Sequence, residues 1–173
     1  MESFKALLLQ EFNKAGYSAT EEQLNKFSFY YEFLIEYNEK VNLTALVEPL
    51  EVIQKHFIDS LFPLKTEFLP TGAFCCDVGT GAGFPGVPLA IMRPDLKMML
   101  FDSLNKRIVF LNELIERLGL TNCQTVHIRA EEAGHVGPHR PKTGRAVRQQ
   151  PHDRADLVRG DPEPAGQQQR EHP

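Results

Sequence analysis

An α/β fold with a parallel sheet is predicted by the order of apolar segments in the chain. The apolar run AFCCDV (73–78) is followed by a glycine-rich stretch and then by VPLAIMR (87–93), which indicates a helix. A second run, KMMLFD (97–102), precedes the amphipathic segment SLNKRIVFLNELIERLG (103–119), and CQTVHI (123–128) is a third run. This alternation of apolar strands and helices is typical of a parallel sheet wound by right-handed crossovers.

The N-terminal segment, residues 1–68, is predicted to be helical. Apolar residues at helical spacing indicate a helix over 3–15. The pattern TEEQ (20–23) matches a capping box, in which the first and last side chains bond each other's backbone N–H groups, and it precedes a longer helix over 21–40. The stretch EPLEVIQKHFIDSLFPL (48–64) indicates a third helix.

The segment between the second and third strands carries a strong amphipathic pattern. Its apolar residues recur at the helical period, as expected for a helix with one face against a sheet. Ser103 is the predicted N-cap of this helix and Gly119 its C-cap.

Composition excludes several classes of protein. The chain has no apolar run near 20 residues, so we expect no membrane span. Two of its three cysteines are adjacent in an apolar run, which suits buried thiols rather than disulfides or a metal site, and the expected compartment is a reducing cytoplasm. The formal net charge of −4 argues against nonspecific nucleic-acid binding by bulk charge, but it leaves room for a local basic patch.

The composition changes abruptly after residue 133. Residues 134–173 contain one Leu, three Val and half of the twelve Pro, and they lack Ile, Phe, Met and Tyr. Such a segment buries little apolar area, so we expect a disordered tail. The sheet would then end after three strands, with one edge of the first strand unpaired. Our hypothesis is a shift of reading frame, which sequencing the gene across the codons for 133–144 tests. An intact frame with no family-like sequence downstream in another frame would count against it.

The residues between the first strand and the next helix form a candidate binding site. In DVGTGAGFPG (77–86), glycines stand at positions 79, 81 and 83. Glycine allows the turn and lets a ligand approach the main chain. Asp102 ends the second strand, where an acid can accept hydrogen bonds from both hydroxyls of a ribose. The alternative is a tight structural turn, but alternate glycines between a strand and a helix favour a nucleotide-type ligand.

Two cofactors compete for this site. A dinucleotide requires the spacing G-x-G-x-x-G and backbone amides for its pyrophosphate. Here the spacing is G-x-G-x-G, Pro85 and Pro88 remove amides, and Asp77 adds negative charge. S-adenosyl-L-methionine has no phosphate and carries cationic groups that suit an acid, directly or through the loop that the acid orders. The pattern therefore favours S-adenosyl-L-methionine.

Five motifs occur in order and at suitable spacing along the chain. They are YNEKVNLTAL (37–46), HFIDSL (56–61), DVGTGAGFPGVPLAI (77–91), DSLNKRIVFL (102–111) and RAEE (129–132). Together they resemble the bacterial glucose-inhibited division protein B family, the 16S ribosomal RNA guanine-N7 methyltransferase, over about residues 5–133. The resemblance implies a Rossmann-like S-adenosylmethionine methyltransferase sheet after a helical N-terminal segment, with 16S ribosomal RNA in the small ribosomal subunit as partner.

The resemblance also implies which residues contact the cofactor. The positions are Gly79, Gly81, Phe84, Asp102, Ala130 and Glu131. The two glycines would lie along the methionine part and the ribose, and Phe84 would pack beside the ligand. Asp102 would hold the ribose hydroxyls, and the last two residues would meet the adenine.

A fourth strand of the family leads into an Arg-Ala-Val motif whose Arg reaches the cofactor. Arg145 in GRAV (144–147) is the candidate for that residue, although HRPKT before it does not resemble a buried strand. Without further strands half of the pocket wall would be missing. We therefore expect poor cofactor binding, with loss of activity as the consequence to test.

Guanine N7 has a lone pair and no proton to lose, so the implied reaction needs alignment rather than a general base, and we predict no catalytic residue. His56 and His127 are expected to serve packing or structure. Lys106 and Arg107 lie near the pocket and could contact RNA phosphates, although exposed cations usually belong to a helix face that contacts only solvent. Two alternatives stay open: a non-catalytic ribosome-binding module made of the N-terminal helices, and an NAD-dependent oxidoreductase.

Overall fold

One sheet runs through the computed structural model, which describes residues 2–128, 145–149 and 155–157. Its strands are β1 (Phe74–Val78), β2 (Lys97–Asp102), β3 (Cys123–His127), β4 (Arg145–Gln149) and β5 (Ala155–Leu157). Their order in the sheet is β3-β2-β1-β4-β5. Strand β1 pairs in parallel with β2 and β4, β2 pairs in parallel with β3, and β5 is antiparallel to β4. The carboxyl ends of β1, β2 and β3 therefore meet at one edge.

The three strands predicted from apolar runs are confirmed, and the sheet continues beyond them. The backbone of β4 pairs with β1, with Arg145 opposite Cys75 and Val147 opposite Asp77. This pairing corrects the expectation that one edge of β1 is unpaired. The segment RAVRQ has only two apolar residues, so a search for apolar runs missed it, whereas backbone pairing requires only N–H and C=O groups.

Helices flank the sheet and form the N-terminal segment. They are α1 (Glu2–Lys14), α2 (Glu21–Val41), α3 (Pro49–Glu51), α4 (Gly86–Met92) and α5 (Asn105–Leu118). The predicted third helix is wrong as a single α-helix. Only Pro49–Glu51 is α-helical, a π-helix follows over Val52–Ile58, and a 3₁₀ turn covers Phe62–Lys65. Within the described residues, no helix is both long and apolar enough to cross a bilayer.

Two of the three predicted helix caps are confirmed. Thr20 N donates to Gln23 Oε1 at 2.8 Å, and Gln23 N donates to Thr20 Oγ1 at 3.2 Å, which completes the capping box. Gly119 ends α5 with a left-handed φ of 63°. Ser103 is not the N-cap of α5, because Leu104 takes that position with an extended backbone and without a side-chain cap bond.

The hydrophobic core is shared by the N-terminal helices and the sheet. Its largest fully buried aromatic side chains are Tyr30, Phe12, Phe27, Phe57 and Phe110. Phe33 of α2 stacks on Phe110 of α5 at 5.4 Å between ring centroids, which joins the two parts directly. Burying each phenylalanine contributes about 2 kcal/mol, so the helices and the sheet stabilise each other.

Candidate functional site

The segment after β1, which we call the glycine loop (residues 79–86), turns through left-handed backbone conformations. The φ angles are 76° at Gly79, 60° at Gly81 and 104° at Gly83. A Cβ added at Gly79 or Gly81 would meet nothing within 4 Å, whereas a Cβ at Gly83 would lie 2.7 Å from the hydroxyl oxygen of Tyr30. The first two glycines thus border open space at the edge of the sheet, and the third allows close packing against α2.

Asp77 holds the base of the glycine loop from inside the protein. It is fully buried, and its Oδ2 accepts hydrogen bonds from Thr80 Oγ1 at 2.7 Å and from Gly86 N at 2.9 Å. Burial, with a smaller contribution from the charge of Asp102, raises the pKa of Asp77 to about 7, although the two hydrogen bonds lower it. A Cβ at Gly86 would collide with Leu100 and lie 2.9 Å from Asp77 Oδ2, so glycine is required where α4 begins.

Asp102 joins the glycine loop to the start of α5. Its Oδ2 accepts a hydrogen bond from Gly81 N at 2.9 Å and a longer one from Arg107 at 3.4 Å. Its Oδ1 accepts the N–H of Leu104 at 2.9 Å. This acid therefore fixes the middle of the loop and the turn after β2, as well as standing at the strand end where a ribose is expected.

The backbone amides of the glycine loop are largely used within the protein. The N–H groups of Gly79, Thr80, Gly81, Gly83, Phe84 and Gly86 all donate to protein oxygens. Two of them, Gly79 and Thr80, share the carbonyl of Phe101 at 2.8 and 3.0 Å. Because a pyrophosphate is held by free backbone amides, this loop is poorly suited to one.

Aromatic side chains from the N-terminal helices support the glycine loop from behind. The Tyr30 hydroxyl donates to the carbonyl of Ala82 at 2.6 Å, and its ring stacks on Phe84. His56 also stacks on Phe84, with 4.3 Å between centroids and an interplanar angle of 9°. Burial lowers the pKa of His56 to about 4, so the ring is neutral near pH 7, in agreement with the predicted packing role.

The structure brings together three of the predicted site residues and describes one more, Phe84. Gly79, Gly81 and Asp102 meet at the carboxyl edge of β1 and β2. The side chain of Phe84 is buried against the N-terminal helices, with an exposed fraction of 3%. Ala130 and Glu131 lie outside the described residues. Arg145 begins β4 opposite Cys75, near the end of the sheet away from the glycine loop.

The remaining residues singled out by sequence have structural contacts. His127 in β3 lies with its Nε2 3.0 Å from the carbonyl oxygen of Ser103. Lys106 donates to the carbonyl of Val41 at the end of α2, at 3.2 Å. Sequence reasoning missed Tyr30, because an aromatic residue at helical spacing indicates only a core position.

Unpartnered buried polar atoms are concentrated at this site. Within the part of the chain that the structure describes, they are His56 Nδ1, Asp77 Oδ1 and Arg107 Nε. His56 stacks on the glycine loop, Asp77 hydrogen-bonds to it, and Arg107 contacts Asp102. Since buried polar groups are nearly always hydrogen-bonded, their grouping around the glycine loop and Asp102 marks a region where further polar partners can be accommodated.

Strand order β3-β2-β1-β4, a glycine loop after β1 and an acid at the end of β2 define a Rossmann-like sheet of the kind found in S-adenosylmethionine-dependent methyltransferases. The chain belongs to the GidB family, described as rRNA small subunit methyltransferase G, which it matches over residues 23–153. The match thus runs past the change in composition after residue 133 and includes β4.

Relatives with the same description are similar over most of this chain. "Ribosomal RNA small subunit methyltransferase G" of Desulforamulus reducens is 50% identical over 142 residues, which is 82% of this chain and 59% of the relative. The protein of that name from Lachnoclostridium phytofermentans is 53% identical over 124 residues, or 72% and 51% of the two chains. The chain therefore spans a little over half the length of these relatives. A SAM dependent methyltransferase from Aquifex aeolicus superposes with a TM-score of 0.39 and 30% identity, covering 46% of this chain and 42% of that one.

Proposed function

We propose that this chain carries the cofactor half of an S-adenosyl-L-methionine-dependent methyltransferase that acts on N7 of a guanine in 16S ribosomal RNA. The observation that carries the proposal is the pairing of Gly81 with Asp102 at the edge of a Rossmann-like sheet, in a chain of the GidB family. The guanine and the position N7 follow from the family resemblance of the five motifs.

The contacts of the glycine loop support S-adenosyl-L-methionine over a dinucleotide. Six loop amides already donate to protein oxygens, so few remain for a pyrophosphate. Two carboxyl groups, those of Asp77 and Asp102, lie beneath and beside the loop. The carboxylate of Asp102 repels a diphosphate and attracts the sulfonium and ammonium groups of S-adenosyl-L-methionine, and Asp77, whose pKa is raised to about 7, adds less.

Each candidate residue has a role that its position allows. The open sides of Gly79 and Gly81 would admit the methionine part and the ribose to van der Waals contact with the backbone. Asp102 would accept the ribose hydroxyls with the lone pairs that Gly81 and Leu104 leave free. Phe84 would meet the ligand through its backbone because its ring faces the helices. Ala130 and Glu131 stay proposed adenine contacts on the strength of the resemblance.

The chemistry requires alignment more than acid or base groups. When bound, the cofactor supplies a methyl group on a positively charged sulfur. Gly79, Gly81 and Asp102 would hold the cofactor, and its methyl group would be available to the lone pair of guanine N7, which has no proton to lose and so needs no general base. The glycine loop would bind the cofactor, and the contacts of Asp77 and Asp102 would keep the loop rigid. Orientation of the methyl group toward N7 by such a loop can lower the activation barrier by several kcal/mol.

Two measurements test this proposal. Calorimetric titration of the chain with S-adenosyl-L-methionine should show binding that is weak but saturable, and titration with NAD should show none. In the second measurement, the chain is incubated with methyl-labelled cofactor and 30S subunits, and label is expected on guanine N7 of 16S RNA. The full-length Desulforamulus reducens relative is the positive control. Label absent with the chain but present with the relative would place activity in the part of the relatives that this chain does not span. Tight binding of NAD instead would overturn the proposal.

A further inference from the structure

His56 stands where two motifs of the chain meet, HFIDSL (56–61) and YNEKVNLTAL (37–46). Its Nε2 lies 2.8 Å from Thr44 Oγ1, and the face of its ring stacks on Phe84 at 4.3 Å. The residue lies in the π-helix Val52–Ile58, a rare local geometry that is often found at functional sites. None of these contacts is used by the proposed methyl transfer itself.

The turn that contains Thr44, which we call the Thr44 turn (residues 42–46), is held by a small set of hydrogen bonds. Asn38 Oδ1 accepts the N–H groups of Leu43 at 2.6 Å and Thr44 at 2.8 Å. The Thr44 hydroxyl oxygen also accepts the N–H of Leu46 at 3.1 Å. The turn is thus ordered within itself, and the Thr44 hydroxyl connects it to the imidazole of His56.

On its other side, His56 contacts the end of the glycine loop. Phe84 N donates to Thr80 O at 3.1 Å, and Gly83 N donates to the same carbonyl at 2.9 Å. These two bonds close the final turn of the loop, so the orientation of Phe84 is tied to the backbone that faces the ligand. A neutral imidazole is suited to both contacts, because it offers a flat face for the ring and a polar edge for the hydroxyl.

We propose that His56 is a positioning residue that couples the Thr44 turn to the glycine loop. A loss of order in one segment then lowers the order of the other, through the hydrogen bond between Thr44 and His56 and the stacking of His56 on Phe84. For the methyltransferase, and resting on the proposed function, this means that the cofactor loop and the Thr44 turn become ordered together. The coupling itself is a property of the protein without ligand, so it is measured separately from cofactor binding.

Amide hydrogen exchange of the ligand-free chain tests the coupling. Thr44→Val replaces the hydroxyl by a methyl group and should raise the exchange rates of the Gly83 and Phe84 amides about fivefold, the effect of one ordinary hydrogen bond. The Met98 amide, which donates to Asn122 O at the opposite edge of the sheet, should keep its rate. Thr44→Ser keeps the hydroxyl and should restore slow exchange. Unchanged rates at Gly83 and Phe84, or an equal rise at all three amides, would overturn the proposal.

His56→Phe is the second variant, since it keeps a ring against Phe84 and leaves the bond between Thr44 and Leu46 in place. It should raise the same two exchange rates, and the double variant with Thr44→Val should add little, because both changes break one link. Additive effects would refute the coupling. Titration with S-adenosyl-L-methionine then separates the two proposals: a wild-type chain that fails to bind counts against the function, while the exchange rates still decide the role of His56.

Discussion

The hydroxyl oxygen of Tyr30 lies 2.6 Å from the carbonyl oxygen of Ala82, so a helix of the N-terminal segment holds the middle of the glycine loop. The same tyrosine stacks on Phe84, and its hydroxyl would lie 2.7 Å from any Cβ at Gly83. Three successive loop residues are thus shaped by one side chain of α2. This arrangement makes the N-terminal helices part of the site, which argues against an independent binding module.

Removal of the Tyr30 hydroxyl should loosen the glycine loop. Tyr30 is fully buried, so Tyr30→Phe leaves the Ala82 carbonyl without a partner and should cost about 1–2 kcal/mol of unfolding free energy. Affinity for S-adenosyl-L-methionine should fall several-fold. Urea denaturation and calorimetry measure the two effects.

Tyr31→Phe is the matched control for this change. Tyr31 also donates to a backbone carbonyl, that of Val47 at 3.1 Å, but this bond is exposed to water. Its loss should change the unfolding free energy by less than about 0.5 kcal/mol and leave cofactor affinity unaltered. Equal changes in unfolding free energy and cofactor affinity for the two variants would show that the Tyr30 hydroxyl does not stabilise the glycine loop specifically.

Substitution of Gly81 should separate backbone strain from ligand contact. Its φ of 60° strains any residue with a Cβ, so Gly81→Ala should cost about 1 kcal/mol of stability. Gly119→Ala is the control, because Gly119 also has a left-handed φ, of 63°, and open space around its Cα. Both variants should lose similar stability, but only Gly81→Ala should weaken cofactor binding. Unchanged cofactor affinity in Gly81→Ala would remove this glycine from the site.

Local signals explain which parts of the fold and site were predictable. The capping box at Thr20, the left-handed Gly119 and the glycines after β1 depend on a few neighbouring residues, so they were recognised in the sequence. Strand β4 was missed because its pairing with β1 depends on backbone groups rather than on apolar side chains. The N-cap of α5 was misplaced by one residue, since the Asp102 carboxylate orders Leu104 instead.

The support behind the glycine loop was not predictable for a different reason. Tyr30 meets Ala82, and His56 meets Phe84, only after the chain has folded, because many residues of sequence separate each pair. Thr44 is linked to the loop only through His56. Helical periodicity marks such positions as buried but does not say which loop they face. The chemistry of the site was therefore recognisable before the structure, and its mechanical support was not.

Asp102→Asn should impair both the loop and the ligand site. The asparagine keeps one acceptor oxygen but loses the negative charge beside Arg107. It cannot accept hydrogen bonds from both Gly81 N and Leu104 N, because its second polar atom is a donor. Affinity for S-adenosyl-L-methionine should fall at least about tenfold, as expected for hydrogen bonds to a charged group. Isothermal calorimetry measures this change.

Asp95→Asn provides the comparison for that variant. Asp95 also accepts a backbone N–H, from Gly72 at 2.9 Å, and is paired with an arginine, Arg93. It lies before β2 rather than after it, away from the glycine loop. Its substitution should lower stability and leave cofactor affinity intact. A similar loss of affinity in both variants would mean that Asp102 acts only through general stability.

Burial of Asp77 should give the protein an unusual dependence of stability on pH. The folded-state pKa of Asp77 is raised to about 7 from an ordinary value of 3.8. Between these values the folded protein keeps a proton that the unfolded chain has lost, so this group makes the protein less stable as pH rises. Asp77→Asn stays neutral at every pH and lacks this effect. The difference in unfolding free energy, Asp77→Asn minus wild type, should therefore increase by on the order of 3 kcal/mol from pH 5 to pH 8.

Urea denaturation of both proteins at several pH values measures this difference, and Asp95→Asn distinguishes it from other acids. The Arg93 guanidinium beside Asp95 holds the pKa of that carboxyl well below its usual range. Its stabilising effect is present above pH 4 and is lost only in stronger acid, so the difference between Asp95→Asn and wild type should be flat from pH 5 to 8. If the difference in unfolding free energy between Asp77→Asn and wild type were also constant from pH 5 to 8, water or a cation would have to reach Asp77 Oδ1. Asp77 would then be a charged part of the site, since it would ionise near its ordinary pKa.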